Sequence, residues 1–226
     1  MNSSAWRIDC WGGRPLNLPA GRTALLVIDM QRDFLDPRGM CGVLGDDVAA
    51  LQAIVPALRR TLEAGRRAGL RIVHTREGYA ADLSDVHAAK AERGGVGQDG
   101  PLGRFLIRGE VGHDFIAELK PAQGEEVIDK PGFSSFYRTD LQARLEAGGI
   151  THLVLSGVTS QCCVHSTLRD AVDRGFACLT LADGCAAFDR SLHEATLAII
   201  QGEGHLFGWI ADTQAFCSGL QRRSPS

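Results

Sequence analysis

His152-Leu-Val-Leu-Ser-Gly-Val-Thr-Ser-Gln-Cys-Cys-Val-His165 is the stretch on which the fold turns. Its first half is apolar with little alternation, as a strand covered on both faces requires. Its second half passes through the small residues Gly157, Thr159 and Ser160 into a stretch where Val164, Leu168, Ala171 and Val172 recur at helical spacing, with Gly175 as the stop. A buried strand feeding a helix is half of a parallel crossover, so the same unit should recur along the chain.

It recurs. Upstream, Thr23-Ala-Leu-Leu-Val-Ile-Asp-Met30 reads as a first buried strand, and Asp47 to Ala68 as one helix stopped by Gly69. Leu70 to Thr75 is a second strand, and Glu125 to Lys130 a third, ended by Pro131-Gly132. A helix over Thr139 to Ala147 precedes the fourth strand, His152 to Val158. Ala177 to Ala182 is a fifth strand, Leu192 to Ile200 a helix, and a short sixth strand is expected around Leu206 to Ile210. The alternation predicts an α/β fold in three layers: a mostly parallel, six-stranded, Rossmann-like sheet with helices on both faces. Length and even composition predict one domain over residues 1–226. Only Glu77 to His113, rich in Gly, Asp and Arg, breaks the rhythm. An insertion of that kind is a lid, a subunit contact or a solvated loop.

The remaining bulk properties mainly exclude. A chain of 226 residues buries enough surface to need no metal or disulfide staple. Its net charge of -3 and scattered basic residues argue against a nucleic-acid partner. The opening residues Met1 to Asp9 lack the basic start and apolar stretch of a secretory signal. No apolar run approaches the ~18–20 residues that would span a bilayer, so no membrane is expected. Seven irregularly spaced cysteines predict free thiols in a reducing, cytoplasmic compartment.

In open parallel sheets, ligands bind beyond the carboxyl ends of the strands. Three chemistry-bearing residues fall there. Asp29 ends the first strand, where a carboxylate must be paired or shifted in pKa; capping of the next turn is the alternative. Lys130 ends the third, where a solvated lysine is the alternative. Cys163 stands at a helix start, whose free N–H groups stabilise a thiolate and can receive an oxyanion. Helical phase does not separate it from Cys162, and a cysteine that only fills the core is the common case.

The runs Leu25-Leu-Val-Ile-Asp-Met-Gln-Arg-Asp-Phe34, Val127-Ile-Asp-Lys130 and Gly157-Val-Thr-Ser-Gln-Cys-Cys-Val164, in that order, resemble the isochorismatase-like cysteine hydrolase superfamily. That superfamily includes nicotinamidases, N-carbamoylsarcosine amidohydrolases, ureidoacrylate amidohydrolases and biuret hydrolases. The resemblance spans roughly Ala24 to Ala215 and implies a catalytic triad of Asp29, Lys130 and Cys163. It selects Cys163 over Cys162 as nucleophile, with Asp29 taking its proton. It also implies a cis peptide between Val158 and Thr159, an oxyanion hole from the N–H groups of Thr159 and Cys163, and a homotetramer or another homo-oligomer.

Within the superfamily, Ile107 to Asp114 and Val127 to Gly132 look closest to biuret and triuret hydrolases, which implies a small ureido substrate. The Gln201-Gly-Glu-Gly204 turn falls where that group contacts substrate, so Gln201 or Glu203 is expected there; biuret hydrolases carry a glutamine. Phe34, Phe136 and Tyr137 are candidate pocket walls, with core packing the alternative for each. His74-Thr-Arg-Glu-Gly78 lacks the Asp-x-His run that holds a metal in nicotinamidases, so neither metal nor cofactor is expected. An amidase for another small amide (ureidoacrylate, an N-carbamoyl amino acid or nicotinamide) is the competing enzyme reading; a non-catalytic binding protein on the same fold is the competing class, and loss of a triad residue would have favoured it.

Overall fold

A computed structural model describes residues 5–92 and 94–222. Residues 1–4, read above for a targeting signal, lie outside it, as do Arg93 of the insertion and the last four residues. In chain order the strands are β1 (Ala5–Ile8), β2 (Leu16–Pro19), β3 (Thr23–Ile28), β4 (Arg71–Glu77), β5 (Asp99–Gly100), β6 (Gly103–Arg104), β7 (Glu126–Lys130), β8 (His152–Val158), β9 (Ala177–Ala186) and β10 (Trp209–Ala211). The helices are α1 (Arg32–Leu35), α2 (Met40–Val43), α3 (Ala49–Gln52), α4 (Val55–Ala68), α5 (Ala88–Glu92), α6 (Leu141–Ala147), α7 (His165–Asp173), α8 (Arg190–His205) and α9 (Thr213–Gln221).

The expected six-stranded parallel sheet is present, in the order β10-β9-β8-β3-β4-β7. Numbered among themselves along the chain, the six strands run 3-2-1-4-5-6, with the reversal between β3 and β8. A crevice opens at such a reversal because the crossovers on its two sides lead away from each other. Asp29 follows β3 and Cys163 follows β8, so the reversal brings them together.

Side chains alternate across the pleat and build a core on each face. Leu25 and Val27 point to one core, shared with β1, β2, α4 and α9. Ala24, Leu26 and Ile28 point to the other, shared with α6, α7 and α8. Gly157 is where β8 passes closest to β3. It has φ +109°, and a Cβ there would stand 2.1 Å from the Ile28 carbonyl oxygen, so no other residue fits.

Three sequence expectations are corrected. The helix predicted over Asp47 to Ala68 is two, α3 and α4, because Pro56 in the first turn of α4 has no N–H for the carbonyl four residues back. The second strand runs on to Glu77, two residues past its predicted end. The antiparallel pair β1–β2 and helix α9 were not foreseen. Among the described residues, no helix is long and apolar enough to cross a membrane.

The insertion is tied down by Asp33. Its buried carboxylate accepts from the N–H groups of Met40 (3.2 Å) and Leu106 (2.8 Å), joining α2 and the far end of the insertion to α1. Within the insertion, Arg108 pairs with Asp85 and donates to the Gly78 carbonyl at 2.8 Å. Tyr79, Leu106 and Ile107 form a third, small apolar cluster beneath it.

Candidate active site

The carboxyl ends of β3, β4 and β7, with the turn after β8, converge on one buried cluster. Asp29 leaves β3 with φ +53°, a left-handed turn that aspartate tolerates better than most residues. Its N–H donates to the Thr75 carbonyl at 3.1 Å, and its Oδ1 accepts from the Thr75 hydroxyl at 2.7 Å. Its Oδ2 lies 2.7 Å from Lys130 Nζ, and both side chains are wholly buried. That contact is a charge pair; the ammonium's well-aligned hydrogen bond goes to the Gly132 carbonyl at 2.8 Å.

The turn after β8 begins with a cis peptide between Val158 and Thr159 and continues as one wide π-type turn over Ser160–Val164. The turn is pinned from α8 by a 2.7 Å hydrogen bond between Ser160 Oγ and His193 Nδ1. It buries Cys163 and leaves Cys162 partly exposed. The Cys163 sulfur, one Asp29 oxygen and one Glu77 oxygen all lie within 4.8 Å of one another. This geometry points to Cys163, the choice that helical phase alone left open.

Glu77 is the residue that sequence reading missed. It is the register partner of Lys130 across β4 and β7. Gln31 fixes its backbone by accepting from the Glu77 N–H (2.7 Å) and donating to the Glu77 carbonyl (2.9 Å). The carboxylate then faces inward. Oε2 accepts from the Cys163 thiol at 3.5 Å and lies 4.0 Å from Lys130 Nζ. Oε1 accepts from the Tyr79 hydroxyl at 2.9 Å and pairs with Lys90. Lys90 comes from α5 of the insertion, its ammonium 4.2 Å from the centre of the Phe133 ring. The signal was available: the rule that singled out Asp29 and Lys130 applies to Glu77 once β4 is given its full length.

Burial raises the Asp29 pKa, against the pull of Lys130. Burial also disfavours the Lys130 ammonium, but Asp29, Cys163 and Glu77 more than offset it, and Lys130 stays charged. Glu77 is likewise opposed by burial, yet Lys130 and Lys90 bring it below the ordinary carboxylate value. A hydrogen bond shared with Cys162, then burial, pushes the Cys163 thiol well up, with Lys130 opposing. Both effects favour the thiol form of Cys163 over the thiolate. The two carboxylates and the thiol are donors of metal-binding type, but they converge on Lys130, whose ammonium is the cation they serve.

A cavity of about 170 Å³ opens onto Cys163. Its apolar lining includes Phe34, Met40, Leu106, Phe133, Val158 and Phe188, and its polar lining includes Glu77, Lys90, Thr159 and the three cysteines Cys41, Cys162 and Cys163. Phe34, Val158 and Thr159 are all lining residues. Phe136 is not a wall: it is buried in the core, stacked on Phe176 at 5.9 Å between ring centres. Tyr137 is 44% exposed and is not among the lining residues; Phe133 takes the place expected of these two. Gln201 is half-buried and Glu203 exposed, at a break in α8 where Glu203 has φ +50°, and the structure brings neither to the cavity. His74 lies inside β4 and pairs with Glu125 at 2.8 Å, away from the site. A larger surface cleft, about 820 Å³ between Arg32 and Lys120, shares no lining residue with the cavity.

Comparison with known proteins agrees with this architecture. The isochorismatase domain model matches residues 23–215. The ureidoacrylate amidohydrolase RutB of Methylorubrum extorquens is 32% identical over 225 residues, covering 94% of this chain and 90% of that protein. RutB of Serratia proteamaculans is 30% identical over 206 residues, 88% of this chain and 82% of that protein. A cysteine hydrolase from Pseudomonas syringae pv. phaseolicola has the same fold, with a TM-score of 0.80 at 24% identity over 98% of this chain and 99% of that one.

Proposed function

The chain belongs to the isochorismatase family, and within it we propose a cysteine amidohydrolase that cleaves a C–N bond of a small, uncharged ureido compound, biuret or triuret. The observation that carries this reading is Cys163, beside the buried pair Asp29 and Lys130, opening onto a cavity whose lining charges, Glu77 and Lys90, neutralise each other.

The chemistry is covalent, because splitting the hydrolysis of a resonance-stabilised amide into two steps lowers each barrier. Asp29 takes the Cys163 proton, and the thiolate attacks the urea-type carbonyl carbon. The oxyanion is received by the N–H groups of Thr159 and Cys163, at the start of the helix-like turn. The C–N bond breaks as protonated Asp29 returns its proton to the leaving nitrogen, and the acyl group left on sulfur is then released by water, from which Asp29 again draws a proton. Lys130 keeps the charge of this corner balanced throughout.

Substrate charge follows from the lining. Transferring a carboxylate into a buried cavity requires a cation free to meet it. Lys130 is engaged by Asp29 and Lys90 by Glu77, so an uncharged substrate matches better. A polyurea also offers several N–H donors, which Glu77 can accept. The likeness to ureidoacrylate amidohydrolases favours a second reading, a ureido acid, for which Lys90 would leave Glu77 to meet the substrate carboxylate. Ammonia release from biuret, triuret, ureidoacrylate, nicotinamide and N-carbamoyl amino acids separates the two. The highest kcat/KM is expected for biuret or triuret. Ureidoacrylate orders of magnitude ahead would establish the second reading, and nicotinamide ahead would end both. We further propose that the enzyme works in the cytoplasm as a homotetramer.

A further inference from the structure

We propose that Lys90 is the specificity-determining residue of the cavity: by engaging Glu77 it closes the site to compounds that carry a carboxylate and leaves it open to neutral ureido compounds. The inference deepens the function proposed above and rests on its reading of the cavity as the substrate site.

Charge balance around the cavity leads to it. Among the described residues that line the cavity, Glu77 and Lys90 are the charged ones. Behind them Asp29 and Lys130 form a wholly buried pair, with Lys130 Nζ 4.0 Å from Glu77 Oε2. Two carboxylates thus face two ammonium groups, and a neutral ligand leaves the four in balance. Transfer of the Cys163 proton to Asp29 keeps that balance, since a thiolate then replaces a carboxylate. A ligand carboxylate would set a third negative charge against two positive ones. It would do so among side chains that are 5% to 12% exposed, where water screens little. To meet it, Lys90 would have to leave Glu77 to the more distant Lys130.

Lys90 is held firmly in this role. Its ammonium pairs with Glu77 Oε1 and stands 4.2 Å from the centre of the Phe133 ring and 5.0 Å from that of Tyr79. The negative faces of the two rings offset part of the hydration that the ammonium loses. The Tyr79 hydroxyl donates to the same Glu77 oxygen at 2.9 Å, so the pair is fixed from both sides. With Oε1 taken, Oε2 is left toward Cys163. A ureido N–H can donate to it there. A carboxylate in the same place has no hydrogen to donate and would set oxygen against oxygen, so the site selects by repulsion as well as by fit.

The test reads the cavity's charge through Cys163 and needs no substrate. Iodoacetamide and iodoacetate differ only in carrying an amide or a carboxylate, and both alkylate thiolates. Their rates at Cys163 are measured on the full-length protein, with Cys162 resolved by mass spectrometry and each rate divided by that for 2-mercaptoethanol. The wild type should favour the amide by roughly tenfold or more. Glu77→Gln, which frees Lys90, should erase or reverse that preference. Lys90→Met should strengthen it by a similar factor. The double variant Glu77→Gln with Lys90→Met, neutral again, should return to the wild-type ratio. A shifted thiol pKa or a loosened fold changes both rates alike, so a merely structural role would leave the ratio unmoved in every variant. An unmoved ratio in Glu77→Gln, or a wild type without preference, would overturn the proposal. Should Glu77→Gln fail to fold, an unmoved ratio in Lys90→Met would do the same. The ammonia-release panel on the wild type judges the ureido reading separately.

Discussion

Cys163 and Cys162 are chemically alike, and only their surroundings assign them different work. Cys163 Sγ sits beside Glu77 Oε2 and near Asp29, whereas the Cys162 side chain lies toward the cavity on the partly exposed side of the turn. Cys163→Ser should therefore abolish ammonia release, because a serine hydroxyl with no thiolate form is a far weaker nucleophile. Cys162→Ser should retain a substantial fraction of activity, and equal loss in both variants would undo the assignment. Urea denaturation of both proteins checks that neither result reflects misfolding. The two positions could not be told apart from helical phase, because the turn that carries them is not α-helical. Asp29, Lys130 and Cys163 were legible because each stands at, or within a few residues of, the carboxyl end of a strand that the apolar pattern marks. Glu77 was not, because its strand ends in Thr75-Arg76, polar residues that look like the start of a loop.

At the scale of elements, strands were readable wherever both faces are buried, and less so where they are short or half-covered. β1 and β2 alternate buried and exposed residues over only four positions each, too few to stand out beside the continuous run of β3. The start of β7 shows how neighbouring elements are joined. Glu125, just before it, takes two hydrogen bonds from Arg66 of α4 (2.7 and 2.9 Å), one from the Ala122 N–H (2.8 Å), and pairs with His74 of β4 (2.8 Å). Burial works against its carboxylate, but these donors prevail and hold the pKa at about 2, below the ordinary value of 4.5. A depressed carboxyl stabilises the fold above its unfolded pKa and loses that contribution as pH falls through the folded one. Glu125→Gln should accordingly flatten the decline in stability between about pH 4.5 and about pH 2, measured by urea denaturation at stepped pH. A decline as steep as that of the wild type would mean the contacts carry no net energy.

Over the whole molecule, the sheet sets two cores back to back and gathers four chain segments at one edge, an arrangement implied by the strand–helix alternation. The residues that close the cavity over that edge were not implied, since Lys90 and Phe133 reach it only through packing between segments distant in sequence. The small apolar cluster under the insertion is built by Tyr79, Leu106 and Ile107, with Phe34, Met40, Leu83, Val86 and Val96 packed against it. Phe34, Met40 and Leu106 also line the cavity. A segment with a core of its own opens as a unit, with a free energy of its own below that of global unfolding. Hydrogen exchange should therefore show the amides of Tyr79, Phe105 and Arg108 opening together, faster than those of β3 and β8. Exchange matching the sheet would mean that the cluster is no separate unit. Such an opening dismantles part of the cavity wall each time it occurs. Were a reactant to enter by that opening, its admission and the assembly of its binding site would be one event.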